Sequence, residues 1–236
     1  VVLVVGAGSG IGAATARLAS ALGADVLLAG RSVASLEATR STLAAPDRAR
    51  LVPFDYLDET QVADAVASFG TVHHVVIPAV ADENAKRGKF VEMPLATMRS
   101  SFDKFWGSVN VLRAVAPLMP AGGSATLFAS IAGLKPTPAS SGLSVMNGVQ
   151  AAVIQLGRSL ALELAPRRVN VIAPGAVLTN VWTPEQRADL ARWMESALPV
   201  QRTGQADDIA QAVVGLMTNS YVTGAVLTVD GGLHLN

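Results

Sequence analysis

The sequence predicts an α/β fold: a doubly wound parallel sheet of about seven strands with helices on both faces. Three observations carry that expectation. The chain opens with VVLVVGAGSGIGAATARLASALGA, a β-branched apolar run, a glycine-rich turn and a helical repeat. Strand-like and helix-like segments then alternate to the end. The strand-like runs are short and apolar throughout, as strands buried on both faces must be.

The elements follow in order. Val1 to Val5 is the first strand, and Gly6, Gly8, Gly10 and Gly12 crowd the turn after it. Ile11, Ala14, Leu18, Ala21 and Leu22 recur at helical spacing. Asp25 to Ala29 is a second strand, Val33 to Ala44 a helix, Arg50 to Phe54 a third strand and Thr60 to Phe69 a helix. Val72 to Ile77 is the fourth strand, with His73 and His74 near its start. Adjacent strand residues face opposite ways, so this His pair is structural rather than metal-binding. Residues 81–94 form a charged surface loop. Leu95 to Met119 reads as one long helix ended by Pro117 and Pro120. Ser124 to Ser130 is the fifth strand and Gly142 to Leu164 a long helix rich in small residues. Val169 to Ala173 is the sixth strand, Pro184 to Ala197 a helical segment over the crevice, and Asp207 to Met217 a helix capped by Asp207. Ala225 to Val229 is the last strand.

The 236 residues suit a single domain spanning 1–236. Half are hydrophobic and 15% charged, so a large core can form. Lys+Arg and Asp+Glu balance at 18 each, which gives no support for nucleic-acid or acidic-membrane partners. The absence of cysteine excludes disulfides, thiolate metal sites and a Cys nucleophile. No apolar run reaches membrane-spanning length, and a cytoplasmic protein is the expectation.

The opening unit matches what a pyrophosphate requires. A helix N-terminus offers unpaired N–H groups and partial positive charge, and glycines let the phosphate approach the backbone. Gly6, Gly8, Ser9, Gly10, Ile11 and Gly12 are therefore candidate dinucleotide ligands. At the end of the second strand, an acidic residue would bind a ribose 2′-hydroxyl, whereas an Arg accommodates a 2′-phosphate. Arg31 stands there, with no carboxylate before Glu37, so NADP(H) is expected in preference to NAD(H). Asp55 is placed to reach the adenine edge or to cap the next helix, a task Asp58 and Thr60 share, and Tyr56 to lie beside the adenine ring.

The chain resembles the short-chain dehydrogenase/reductase family over essentially its whole length. GAGSGIG is similar to the family's glycine motif, with Val5 where Thr is usual, and Gly30-Arg31 to its NADP-type second-strand end. APGAVLT (173–179) resembles the segment that lines the nicotinamide, and VTGAVLTVDGG (222–232) the C-terminal signature. The resemblance implies a Rossmann-type fold and adds Ala79, Pro174, Gly175, Val177 and Thr179 to the candidate cofactor ligands. It also implies a homodimer or homotetramer built on the two long helices, where Gly148, Ala151, Ala152 and Ser159 permit close approach.

The family's Asn-Ser-Tyr-Lys tetrad is not matched. Ser130 keeps the Ser place, but Leu143 stands at the Tyr place, Asn147 at the Lys place and Lys104 at the Asn place. The Asn-Asn-Ala-Gly turn reads Ile77-Pro78-Ala79-Val80. An alkoxide formed by hydride delivery needs a proton, and Leu143 has none to give. Lys104 is the candidate replacement, if its long side chain returns an ammonium to the vacated cavity and burial lowers its pKa. Ser130, with no His near it in sequence, is a candidate hydrogen-bond partner for a carbonyl rather than a nucleophile. Leu143, Val145, Met146, Val181 and Trp182 suggest an apolar small-molecule substrate. Three readings stay open: an oxidoreductase with non-standard residues, a dinucleotide-binding protein without redox chemistry, and a non-redox enzyme such as an isomerase, lyase or cyclase in the same pocket.

Overall fold

A computed structural model describes residues 1–79, 86–136, 140–178 and 184–235. Seven strands form one wholly parallel sheet. They are β1 (Val2–Val5), β2 (Val26–Gly30), β3 (Ala49–Pro53), β4 (His74–Ile77), β5 (Ser124–Phe128), β6 (Arg168–Pro174) and β9 (Val226–Val229). Their order is β3-β2-β1-β4-β5-β6-β9, so the chain reverses direction across the sheet between β1 and β4. Ligands of such sheets bind at that switch, outside the strands' carboxyl ends. A two-residue ladder that the sequence did not reveal joins β7 (Val177–Leu178) to β8 (Gly204–Gln205).

The helices are α1 (Gly10–Ala21), α2 (Val33–Arg40), α3 (Glu59–Ala67), α4 (Leu95–Ser100), α5 (Asp103–Val115), α6 (Ser144–Glu163), α7 (Pro184–Ala197) and α8 (Ala206–Thr218). They cover both faces of the sheet. In β1, Leu3 and Val5 point into the layer holding Val111, Leu112 and Val153, whereas Val2 and Val4 join Ala16, Ile209 and Val213. Period-two alternation thus feeds two apolar layers from one fully buried strand.

Three elements depart from the sequence expectation. The helix expected over Leu95–Met119 is two helices, broken at Ser101-Phe102 and closed by a 3-10 turn at Ala116–Leu118. The hydroxyls of Ser100 and Ser101 both donate back to the Thr97 carbonyl, at 3.0 and 3.3 Å. Lys86 Nζ takes the Ser100 carbonyl. Such bonds compete with the helical ladder and bend it. The helix expected over Val33–Ala44 stops at Arg40, where Ser41 Oγ donates to the Glu37 carbonyl. Asp207 is not the cap of α8. Gln205 is the N-cap residue, and its N–H donates to Asp208 at 2.8 Å. Asp207 instead faces solvent beside Arg17 at 3.5 Å.

His74 is one of two titratable groups inside the amino-terminal edge of the sheet. Its Nδ1 lies 2.8 Å from Ser124 Oγ. Arg168 lies nearby, its guanidinium donating to the Leu216, Met217 and Val222 carbonyls at 2.7–3.0 Å. Burial first, then the positive charges of Arg168 and His73, lower the His74 pKa to about 4. The folded state therefore refuses a proton that the unfolded chain accepts. The contribution to stability is complete above the ordinary His value and is lost as pH falls through the interval down to about 4. Urea unfolding followed from neutral pH to pH 4 should show a falling midpoint, and His74→Gln should flatten that slope.

Candidate active site

The glycine turn is set by two close approaches. A Cβ on Gly12 would sit 2.0 Å from the Gly6 carbonyl oxygen, so only glycine lets α1 start directly above β1. Gly6 has φ +94° and lies against Ala79, whose Cα would be 2.9 Å from an added Cβ. The turn is tied down from β2 and α2. The N–H groups of Gly6 and Ala7 both donate to the Ala29 carbonyl, at 2.8 and 3.0 Å, and Thr39 Oγ1 donates to the Ala7 carbonyl at 2.9 Å. Ser9 is the N-cap residue of α1, yet its side chain makes no capping bond. The first N–H groups of that helix are thus left for an external acceptor.

A cleft of about 470 Å³ opens at this turn. It gathers Gly6, Gly8, Ser9, Gly10, Ile11, Gly12, Arg31, Asp55, Tyr56 and Ala79 of the candidate residues. Ser32, Ser35, Phe54, Leu57 and Pro78 also line it, and sequence reasoning missed them. Ser32 and Ser35 had a legible signal, being hydroxyls on the first turn of the helix that follows Arg31. Ser32 caps α2, its Oγ accepting from the Ser35 N–H at 3.3 Å and from the Ser35 hydroxyl at 3.1 Å. Glu37, the carboxylate after Arg31, is held by Arg40 at 2.8 Å.

Asp55 and Tyr56 begin the turn beyond β3. Asp58, not Asp55, caps α3, accepting from the Thr60 and Gln61 N–H groups at 3.0 Å each. These bonds hold the Asp58 carboxyl below its usual value, the Gln61 N–H contributing most. Asp55 accepts from the Leu57 N–H at 3.0 Å. Tyr56 is 8% exposed, and its ring fills the space where Gly107 has no side chain, since a Cβ there would meet it at 2.1 Å. Its ring is therefore part of the core as well as of the cleft wall.

The second group of candidates lies farther along the same sheet edge and does not line this cleft. Ser130 follows β5 and caps a 3-10 turn, its Oγ accepting from the Ala132 N–H at 3.3 Å. Leu143 is the N-cap residue of α6, and Asn147 Nδ2 donates to Ser140 Oγ at 3.3 Å. Lys104 is 3% exposed on α5, and its Nζ donates to Gln150 Oε1 of α6 at 3.0 Å. Gln150 in turn backs the Ser130 turn: a Cβ on Gly133 would lie 2.7 Å from the Gln150 Cβ. Lys104 thus reaches α6 one turn beyond Asn147. Pro174 ends β6, Gly175 N–H donates to the Val229 carbonyl at 3.1 Å, and Val177 opens β7. Thr179, Val181 and Trp182 lie outside the described residues. Met146, on α6, is 2% exposed.

A dinucleotide fits the first group: a cradle that any side chain at Gly12 would fill, unclaimed N–H donors at a helix start, and a cationic rim at Arg31. Among the described residues no helix is long and apolar enough to cross a membrane.

Comparison with known proteins agrees with this geometry. Residues 6–234 match the family model described as enoyl-(acyl carrier protein) reductase. The chain is 34% identical to the granaticin polyketide synthase putative ketoacyl reductase 2 of Streptomyces violaceoruber, over 100% of this chain and 96% of that protein. It is 35% identical to the L-tagatose-forming galactitol 2-dehydrogenase of Cereibacter sphaeroides, over 97% of this chain and 92% of the enzyme. An NADPH-bound short-chain oxidoreductase from Pseudomonas aeruginosa PAO1, described as containing an atypical catalytic center, superposes with a TM-score of 0.87. That match has 28% identity and covers 98% of this chain and 96% of that one. With the parallel sheet, the glycine turn and a family match over nearly its full length, the chain belongs to the short-chain dehydrogenase/reductase family.

Proposed function

We propose that the chain is an NADP(H)-dependent oxidoreductase interconverting an alcohol and a carbonyl on a small apolar molecule, with non-standard residues around the reacting atoms. The observation that carries the cofactor choice is the rim of the cleft. Arg31 and the Ser32 and Ser35 hydroxyls meet there at the end of β2 with no carboxylate among them. A 2′-phosphate finds charge and donors in that group, and the carboxylate of the cleft, Asp55, stands beyond β3 rather than at the end of β2. A nicotinamide dinucleotide supplies hydride when bound. Around it, the first turn of α1 takes the pyrophosphate, and the segment Pro174, Gly175, Val177 and Thr179 carries the nicotinamide end. Ser130 orients the carbonyl oxygen, and Lys104 places a buried positive charge behind the Ser130 turn.

One observation favours a second reading, a dinucleotide-binding protein without turnover. Leu143 stands where the family's acid belongs, and the loss of a positioned acid costs about 10²–10⁴-fold in rate. The same scaffold also suits two or more copies. Between α5 and α6 runs a groove of about 460 Å³ lined by Val109, Leu112, Leu156, Leu160 and Leu164, with Arg113, Glu163 and Arg167 also on its walls. We assign this face to self-association.

Calorimetric titration should give tighter binding of NADPH than of NADH, and Arg31→Ala should narrow the difference by about tenfold, the worth of a charge-assisted contact. Equal or tighter NADH binding by the wild type would sink the cofactor assignment. The double variant Leu143→Tyr, Asn147→Lys should raise carbonyl reduction above the wild-type rate if chemistry, not binding, is what the chain has lost. Light scattering should report a dimer or tetramer, shifted toward monomer by Leu160→Asp.

A further inference from the structure

The reductase reading leaves the proton source open, and the structure holds a second acid–base group that sequence proximity did not show. It lies in the turn after β9. The Asp230 carboxylate is 4% exposed, and its Oδ2 lies 2.7 Å from His234 Nδ1. The same carboxylate accepts from the His234 N–H at 2.8 Å and from the Gly232 N–H at 3.1 Å. A carboxylate can only accept, so Nδ1 carries a proton, and the tautomer this selects has its lone pair on Nε2. The His234 side chain is 37% exposed, and no hydrogen bond engages Nε2 among the described residues. A buried carboxylate holding a histidine in one tautomer, with the other nitrogen free, is the arrangement of an oriented general base.

Its position is what connects it to the reaction. All seven strands are parallel, so the turn after β9 leaves the sheet on the same edge as the glycine turn, Ser130 and Gly175. Asp230 lies directly on Gly175, where an added Cβ would come within 2.7 Å of the Asp230 Cβ. Leu233 packs with Ile131, the residue after Ser130, with Met194 of α7 and with Leu198 just after it. Lys135 Nζ, just beyond the Ser130 turn, donates to the His234 carbonyl at 3.3 Å. The turn that carries the pair thus packs against the Ser130 turn, Gly175 and α7, while the His234 ring stays partly open to solvent. Lys104, by contrast, is buried and already donates to Gln150.

We infer that His234, oriented by Asp230, is the proton donor and acceptor for the alcohol/carbonyl pair, in the role that Leu143 cannot fill. The inference rests on the oxidoreductase reading above. In reduction, hydride adds to the carbonyl carbon and the π pair moves onto oxygen. Nε2 of the partly exposed ring has first taken a proton from solvent; that Nε2–H bond breaks, an O–H bond forms, and the ring returns to its neutral Nδ1–H form. Oxidation runs the same transfers backward, with Asp230 stabilising the imidazolium. Asp230 is a positioning residue.

The test uses the full chain. Long-range ¹H–¹⁵N correlation spectra should show His234 as the Nδ1–H tautomer, and Asp230→Asn should abolish that preference. The Nε2–H tautomer in the wild type would overturn the assignment. A panel of aliphatic and aromatic ketones is then screened with NADPH. For any ketone that turns over, His234→Gln should lower kcat by about 10²–10⁴-fold while the NADPH Kd and the melting temperature hold. His234→Ala should regain turnover on adding free imidazole, which a structural histidine would not. A His234→Gln kcat within about threefold of the wild type overturns the inference and leaves the reductase reading intact. NADPH binding without turnover of any ketone overturns the reading itself, and the inference falls with it.

Discussion

The structure depends on one contact, the seating of the first helix on the first strand. Gly12 places its Cα so near the Gly6 carbonyl that no side chain fits between them. Because α1 begins there, its open N–H groups look outward over the carboxyl edge of the sheet instead of sliding along it. Thr39 and Ala29 hold the same turn from the α2 side. Everything that lines the cleft, from Arg31 to Ala79, is placed relative to that junction.

The edge so defined has two unequal halves. Near β2 and β3 the cleft is walled by short turns whose polar atoms are satisfied locally, as at Ser32, Asp55 and Asp58. Near β5, β6 and β9 side chains pair with one another: Lys104 of α5 with Gln150 of α6, and, within their own turns, Asn147 with Ser140 and Asp230 with His234. The first half is local chain geometry on a common scaffold. The second is a set of side-chain pairings, one of them between helices, in which one altered residue changes what its partner can do. A chain can therefore retain dinucleotide recognition while its chemistry changes.

That division also explains what was legible in the sequence. The parallel sheet and the glycine turn were readable because strand burial and phosphate binding impose short local patterns. The switch from one expected helix to α4 and α5 was not. It arises from Ser100 and Ser101 bonding backward and from Lys86 arriving from a distant segment. The cap of α8 was misread by two positions: Gln205 is the N-cap residue, and Asp208 three residues on completes the cap while also held by Arg202 at 2.7 Å. Ser130, Leu143, Asn147 and Lys104 could be placed only by alignment to a family. His234 was invisible to spacing, since nothing near Ser130 in the chain foretells that the turn after β9 returns beside it.

The clamp between Asp230 and Gly175 has a practical side. The closing turn of the chain is a wall of the segment that follows β6, with Gly231 and Gly232 seated against Leu198, Pro199 and Val200. Trimming residues 230–235, or fusing a bulky tag directly onto them, would loosen the segment after β6 and the chain that follows α7 together. Protein engineered for crystallography or immobilisation should therefore carry its handle elsewhere, or behind a long spacer.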